Sequence, residues 1–139
     1  MTDDQVLDAI LDREAGYADD PADRGRATAW GISSRYHPEA WTHGPPSREQ
    51  AKAIYRRDYL APFAAVEPIE LRAQVVDIAV NSGVTTARAL LALASNQTRR
   101  AIGVQLVVER LRHYARLVKG HPDQRMFLTG WISRACEFL

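Results

Sequence analysis

One carboxylic acid stands out because of where a helix would place it. Apolar residues recur at helical spacing from Val6 to Leu11, which predicts an amphipathic helix near the start of the chain. Glu14 follows Ile10 and Leu11 by four and three residues, so its side chain would extend the apolar stripe. A carboxyl group there loses hydration, which disfavours its charged form. Such a group can act as a general acid on a glycosidic oxygen. The alternative is a helix-terminal Glu14 paired with an arginine of the following loop.

The loop that leaves this helix carries two residues that would complete a hydrolytic site, Asp23 and Thr28. In an inverting glycosidase, a second carboxyl group roughly 6.5–9.5 Å from the acid holds the attacking water. A threonine hydroxyl both donates and accepts hydrogen bonds, so Thr28 is a candidate for orienting that water. We therefore predict a catalytic group of Glu14, Asp23 and Thr28.

Aromatic residues are concentrated in the same region. Residues 15–47 interrupt the helical pattern with glycines and prolines, and a loop of this length inside a domain is usually functional. A weak signal indicates a short extended piece around residues 28–32. Aromatic rings offer flat faces for sugar rings and polar edges for hydroxyl groups. The predicted substrate-binding residues of this region are Tyr17, Trp30, Tyr36 and Trp41.

The remainder of the chain predicts helices. Ser47 begins one with a capping-box pattern, and Pro68 begins the next, which stops at residues 81–83. A short Ala/Leu-rich helix follows, then a long helix capped by Thr98, then a last helix from Asp123. The predicted fold is all-α or mainly α with at most a small β element.

Composition excludes several classes of protein. The 139 residues fit a single domain, and 46% hydrophobic with 25% charged residues is typical of a globular protein. One cysteine, Cys136, allows neither an internal disulfide nor a cysteine zinc site. His37 and His43 lack further ligands at metal-binding spacing, so we expect no metal and no cofactor. The basic residues near the C-terminus match no nucleic-acid-binding module, and we expect no nucleic acid partner.

We find neither a signal-peptide pattern nor a membrane-span pattern in the sequence. The acidic N-terminal residues do not resemble a signal peptide, and no apolar run approaches the ~20 residues of a membrane span. We expect a soluble product that is made in the cytoplasm and has no stable insertion in a membrane.

Residues 14–32, from Glu14-Ala15-Gly16-Tyr17 through Trp30-Gly31-Ile32, resemble the signature of glycoside hydrolase family 108, the N-acetylmuramidases. The similarity continues through residues 51–59 and 77–83. Residues 127–134 are similar to a C-terminal region of the family that is assigned to peptidoglycan binding. Two positions depart from the signature, because Ala15 and Arg26 stand where the family has glycine.

The resemblance implies a single-domain, lysozyme-like helical bundle that cleaves the β-1,4 bond between N-acetylmuramic acid and N-acetylglucosamine. It implies Glu14 as the catalytic residue, a catalytic region over residues 1–94, and a C-terminal helical region over residues 95–139 within the same domain. The family includes bacteriophage endolysins, so the expected partner is the peptidoglycan glycan strand. A monomer would reach the periplasm and cell wall through a holin or another export route.

Asp77 and Asn81 lie four residues apart and therefore on one helix face. Given the resemblance, we predict that they contact substrate or support the catalytic loop; the alternative is a helix-terminal asparagine beside a solvated aspartate. Two other functions stay open, a lytic transglycosylase and a non-catalytic peptidoglycan-binding or phage structural protein.

Overall fold

The computed structural model of the protein describes residues 1–18, 27–96 and 102–139. Within those ranges the chain forms six α-helices and one three-stranded antiparallel sheet. The prediction of a mainly α fold with a small β element is confirmed. None of the helices in these ranges is both long and apolar enough to cross a membrane. Contacts between residues divide the chain into two compact units, Met1–Ala65 and Val66–Leu139. The predicted functional division after residue 94 stays a prediction.

The first unit begins with helix α1, Asp3–Arg13. The Thr2 side chain accepts a hydrogen bond from the Gln5 backbone N–H, and the Gln5 side chain accepts one from the Thr2 backbone N–H. These reciprocal bonds satisfy two backbone donors at the start of the helix. The predicted apolar stripe is buried, and it consists of Val6, Leu7, Ile10 and Leu11. Apolar periodicity and a capping box thus define α1.

Three two-residue strands follow, β1 (Tyr17–Ala18), β2 (Thr28–Ala29) and β3 (Ile32–Ser33). Strand β2 is central: Tyr17 pairs with Ala29 on one side, and Ala29 pairs with Ile32 on the other. The backbone N–H of Ser34 donates to the carbonyl of Ala27 and extends the hairpin by one pair. The weak extended signal at residues 28–32 therefore corresponds to a real β-hairpin.

Helix α2 spans Arg48–Tyr55 and has the predicted capping box, in which Ser47 and Gln50 exchange hydrogen bonds. The chain continues as a π-helical turn, Arg56–Leu60, and a 3₁₀ turn, Ala61–Phe63. Single π turns within helices are rare and often occur at functional sites. The π turn extends the helical path of α2 by five residues and carries Asp58 and Tyr59.

The acidic face of α1 does not simply point to water, because it pairs with basic residues of α2 and its π turn. Acids and bases each recur every fourth residue, so the two rows meet in register. Arg48 bridges Asp8 at 2.6 Å and Asp12 at 2.9 Å, and Lys52 contacts Asp8 at 3.0 Å. We call this set the α1–α2 ion-pair ladder; its members are Asp4, Asp8, Asp12, Arg48, Lys52 and Arg56.

The second unit contains four helices among the described residues: α3 (Ile69–Ser82), α4 (Val84–Ser95), α5 (Ile102–Gly120) and α6 (Leu128–Cys136). Pro68 caps α3 as predicted, and Gly83, with φ 88°, separates α3 from α4. The predicted cap of the long helix, Thr98, lies outside the described residues. Most of α3 is buried, so this helix has no solvated face along its middle.

A small apolar cluster joins α5 to α6. It contains Val107, Tyr114 and Ala135, with Leu111, Leu128, Trp131 and Phe138 packed against them. The rings of Tyr114 and Trp131 stack with centroids 5.2 Å apart. Phe127 is 48% exposed, although a continuous α-helix would place it on one face with Trp131. It lies at the end of a 3₁₀ segment, Pro122–Phe127, where α-helical spacing does not apply.

Candidate active site

Glu14 is the residue that terminates α1. Its backbone N–H donates to the carbonyl of Ile10 at 3.0 Å, and its φ and ψ of −86° and 3° end the helical path. Its side chain is half-buried, whereas Asp12 and Arg13, the two preceding residues, are exposed. The predicted position of Glu14 at the end of the apolar stripe is therefore observed.

The turn of the β2–β3 hairpin lies directly beside this side chain. Trp30 and Gly31 form the two-residue turn, and both have positive φ angles, 54° and 72°. Two positive φ angles in a two-residue hairpin turn are the type I′ pattern, which strongly favours glycine at its second position. A Cβ atom added to Gly31 would lie 3.3 Å from the Glu14 Cβ and 3.4 Å from its Oε2. The carboxyl group therefore packs against a backbone that has no side chain of its own.

Tyr55, the last residue of α2, fixes the opposite side of the turn. It is only 2% exposed, and its hydroxyl donates a hydrogen bond of 3.1 Å to the carbonyl of Trp30. A Cβ atom on Gly31 would lie 2.3 Å from the Tyr55 Oη, which is far inside contact distance. Glycine is thus required at position 31 for two reasons, its backbone angle and the space beside it.

Tyr59 of the π turn lies beside Tyr55. Its ring centroid lies 5.4 Å from that of Tyr55. Burial raises the pKa of the Tyr59 hydroxyl, and the nearby charges of Asp58 and Glu14 raise it further. The tyrosine hydroxyl therefore keeps its proton at neutral pH.

Asp58 is a second carboxylate in this region. Arg57 donates to it twice, with Nε at 2.5 Å from Oδ1 and Nη2 at 2.8 Å from Oδ2. These bonds, with the positive charges of Arg57 and His37, hold the pKa of Asp58 below its usual value, although partial burial opposes them. Asp58 therefore stays ionised at neutral pH, and both of its oxygens accept hydrogen bonds from Arg57.

Of the other two predicted catalytic residues, the structure describes Thr28 but not Asp23. Thr28 is half-buried in β2, two residues before Trp30, and its backbone pairs with Ser33 across the hairpin. Asp23 lies outside the described residues, so its predicted role stays a prediction. Arg26, which stands where the family signature has glycine, also lies outside the described residues.

Among the predicted sugar-binding aromatics, Trp30 is half-buried in the turn beside Glu14. Tyr36 is 70% exposed after β3, and the Arg35 guanidinium lies 5.8 Å from its ring centroid. Trp41 is half-buried at the end of a 3₁₀ turn, Pro38–Trp41. Tyr17 contributes backbone pairing in β1. Their contacts with substrate stay predictions.

Asp77 has a different environment from the one predicted. Its side chain is 1% exposed, and Arg110 Nη2 lies 2.7 Å from one carboxylate oxygen while Arg134 Nε lies 2.9 Å from the other. A carboxylate so enclosed links α3 to α5 and α6 rather than meeting a ligand. The Asn81 side-chain amide donates to the Tyr114 hydroxyl at 3.0 Å, and that hydroxyl also accepts from Arg110 Nε at 2.5 Å. Asn81 therefore extends the same network.

Within the described ranges, no group of three or more His, Cys, Asp or Glu side chains is arranged to hold a metal ion. The described site therefore offers acid–base groups, hydroxyls and aromatic faces.

Sequence reasoning identified Glu14 and Trp30 but missed the residues that hold them. From the sequence, Tyr55 and Tyr59 were visible only within residues 51–59, which continue the family resemblance. Their spacing of four residues indicated a shared face, yet nothing in the sequence indicated that the Tyr55 hydroxyl reaches the hairpin turn. Gly31 was visible only as part of the family signature.

A comparison with protein families gives one match. The family described as Glycosyl hydrolase 108 matches residues 7–83, which is more than half of the chain and includes Glu14, Trp30, Gly31 and Tyr55. The resemblance noted from the sequence is thereby confirmed. No curated protein shows significant similarity to the chain.

Proposed function

We propose, on the premise that the chain belongs to glycosyl hydrolase family 108 and is a glycoside hydrolase, that it cleaves peptidoglycan glycan strands. The bond broken is the β-1,4 bond between N-acetylmuramic acid and N-acetylglucosamine, and Glu14 is the general acid. The enzyme is thus a muramidase of the lysozyme type.

One observation carries this proposal: the half-buried carboxyl group of Glu14 packs against the Gly31 turn inside the region that matches the family. A carboxyl group held by a rigid turn can be presented to a leaving oxygen in a defined orientation. The exposed acids Asp4 and Asp12 of the same helix pair instead with Lys52 and Arg48 of α2. Glu14 is therefore the preferred acid of α1.

In the proposed reaction Glu14 donates its proton to the glycosidic oxygen as the bond to the anomeric carbon breaks. Asp23 with Thr28 positions the attacking water and accepts its proton, so that the products are two free sugar ends. The proton lost by Glu14 is thus replaced in each cycle through solvent. The reaction needs no cofactor.

Trp30 is proposed to support a sugar ring, since its side chain belongs to the turn that borders Glu14. Tyr17, Tyr36 and Trp41 are proposed to extend this surface along the glycan. Aromatic rings suit this role because sugar C–H groups pack on the ring faces while the polar edges reach hydroxyl groups.

The biological setting that we propose is endolysin-like. The enzyme is made in the bacterial cytoplasm, acts as a monomer, and reaches the cell wall through a holin or another export route.

Mass spectrometry of the fragments released from purified sacculi tests the proposed bond and reaction. We expect fragments that end in reducing N-acetylmuramic acid. Reducing N-acetylglucosamine ends would contradict the bond assignment, and 1,6-anhydro ends would indicate a lytic transglycosylase instead. Binding to sacculi without release of any fragment would favour a non-catalytic protein.

A further inference from the structure

We infer that Tyr55 is a positioning residue: its hydroxyl holds the Trp30–Gly31 turn in the place where the turn supports the Glu14 carboxyl group. The inference rests on the proposed role of Glu14 as the acid. It assigns to α2 a direct part in the reaction geometry, although Tyr55 itself touches neither the leaving group nor the water.

The first support is that three groups lie close together: the Gly31 backbone, the Tyr55 hydroxyl and the Glu14 carboxyl group. The site of a Cβ on Gly31 lies 2.3 Å from Tyr55 Oη and 3.4 Å from Glu14 Oε2. The two oxygens are therefore less than about 6 Å apart, with the Gly31 backbone beside both. A small shift of the turn would change the surroundings of the carboxyl group at once.

The second support is the conformation of the turn. Trp30 has a φ of 54°, which is unfavourable for a bulky residue. Strained residues of this kind persist only where the surrounding structure holds them, and they occur often at functional sites. Here the Trp30 carbonyl accepts from the Tyr55 hydroxyl at 3.1 Å, and the Trp30 N–H donates to the Gly16 carbonyl at 3.2 Å. The Tyr55 bond comes from the end of α2, whereas the Gly16 bond comes from the residue that precedes β1.

The third support is that the surrounding structure holds Tyr55 in place. Tyr55 is 2% exposed and ends a capped helix that the ion-pair ladder joins to α1, the helix that carries Glu14. Its ring also contacts that of Tyr59. The hydroxyl is thus fixed relative to α1, which is the requirement for positioning a turn against a residue of α1.

The first test is Tyr55→Phe, with kcat and KM measured on a soluble, uncrosslinked glycan fragment of peptidoglycan. We expect kcat for each folded molecule to fall about tenfold or more, and KM to change far less, because misplacement of a reacting group raises the barrier to reaction. Unchanged kcat for each folded molecule, with only a lower melting temperature, would overturn the inference.

Tyr114→Phe is the matched control. Tyr114 is also buried, at 1% exposure, and its hydroxyl is also hydrogen-bonded, but it belongs to the second unit. We expect this variant to lose stability while kcat for each folded molecule stays unchanged. A similar fall of kcat in both variants would mean that loss of any buried tyrosine hydroxyl has the same effect, which would overturn a specific role for Tyr55.

A second measurement uses the space at Gly31. Gly31→Ala places a methyl group 2.3 Å from Tyr55 Oη, so we expect low activity. Removing that oxygen in the double variant Gly31→Ala/Tyr55→Phe makes room for the methyl group. We expect the double variant to be several-fold more active than Gly31→Ala alone, although the positive φ still disfavours alanine. Additive losses would contradict the convergence of the two residues.

Glu14→Gln, assayed in parallel, separates this inference from the proposed function. If Glu14→Gln is inactive while Tyr55→Phe has the wild-type kcat, the positioning role fails and the acid role stands. If Glu14→Gln is fully active, the proposed function itself fails.

Discussion

At the scale of residues, the site depends on a glycine and a tyrosine as much as on its acid. Glu14 ends a helix, and Gly31 lets the backbone of a turn come within contact distance of its carboxyl group. Tyr55 occupies the remaining space and holds the carbonyl of Trp30. Because these residues share one small space, each restricts the side chains that the others can have. Single substitutions here should therefore reduce activity more than they reduce the stability of the fold.

The exposed ring of Tyr36 allows a test of the aromatic surface at little cost in stability. We expect Tyr36→Ala to weaken binding to insoluble peptidoglycan several-fold, since a stacking face is lost, while the melting temperature stays near the wild-type value because the side chain is 70% exposed. Co-sedimentation with sacculi measures the effect.

Tyr36→Phe is the control, because it keeps the ring face and loses only the hydroxyl. It should bind nearly as well as the wild type. Equal loss in both variants would point to the hydroxyl rather than to stacking, and no loss in either would remove Tyr36 from the binding surface.

At the scale of elements, the α1–α2 ion-pair ladder makes part of the stability depend on pH. Hydrogen bonds from Lys52 and then Arg48 hold the pKa of Asp8 below its ordinary value of 3.8. Asp8 therefore contributes stability above pH 3.8, and that contribution is lost as the pH falls below this value. Lys52 has a pKa above 10.5, chiefly because of Asp8, so its contribution is present below pH 10.5 and is lost above it.

We expect Asp8→Asn to lower the melting temperature at pH 6, and we expect the difference from the wild type to shrink as the pH falls below 3.8 and folded Asp8 takes up a proton. Circular dichroism melts over this range provide the measurement. Asp123→Asn, a change at an exposed acid of the second unit, should leave the pH dependence unaltered. Parallel curves for Asp8→Asn and wild type would show that the ladder contributes nothing measurable.

The buried carboxylate of Asp77 joins three helices of the second unit. Asp77→Asn would leave two guanidinium groups without their anionic partner, and that of Arg110 is fully buried. We expect the free energy of unfolding to fall by about 3 kcal/mol. Urea denaturation measures this value.

Glu67→Gln is the matched comparison, because Glu67 pairs with Arg72 but is itself 70% exposed. Loss of this pair, in which Glu67 is exposed although the Arg72 side chain is only 10% exposed, should cost clearly less than the change at Asp77. Similar losses in the two variants would contradict a structural role for the Asp77 network.

At the scale of the whole molecule, local signals predicted elements well and long-range contacts poorly. The periodicity from Val6 to Leu11 predicted α1, and the capping-box pattern at Ser47 predicted α2, because helix-forming interactions span only a few residues. The pairing of the ladder and the contact of Tyr55 with Trp30 join residues 25 or more positions apart. No pattern within a window of the sequence contains that information.

The difference between local signals and long-range contacts also explains which parts of the candidate site could be predicted. Glu14 was recognisable because its position on a helix and its place in the family signature agree, and the family match over residues 7–83 includes it. Given the resemblance and the helix face that it shares with Asn81, Asp77 was predicted to contact substrate or support the catalytic loop, whereas the two arginines that pair with it, Arg110 and Arg134, lie 33 and 57 residues farther along. The helix face on which a residue lies does not reveal which distant residues pack against it.

The rate of turbidity loss of purified sacculi tests the central claim most directly, with wild type, Glu14→Gln and Asp12→Asn compared at equal concentrations of folded protein. We expect Glu14→Gln to lose at least about 99% of the activity, since a general acid contributes roughly 10²–10⁴-fold. Asp12→Asn, which changes an exposed acid two residues earlier on the same helix, should clear the suspension nearly as fast as wild type. Full clearing by folded Glu14→Gln would contradict the account.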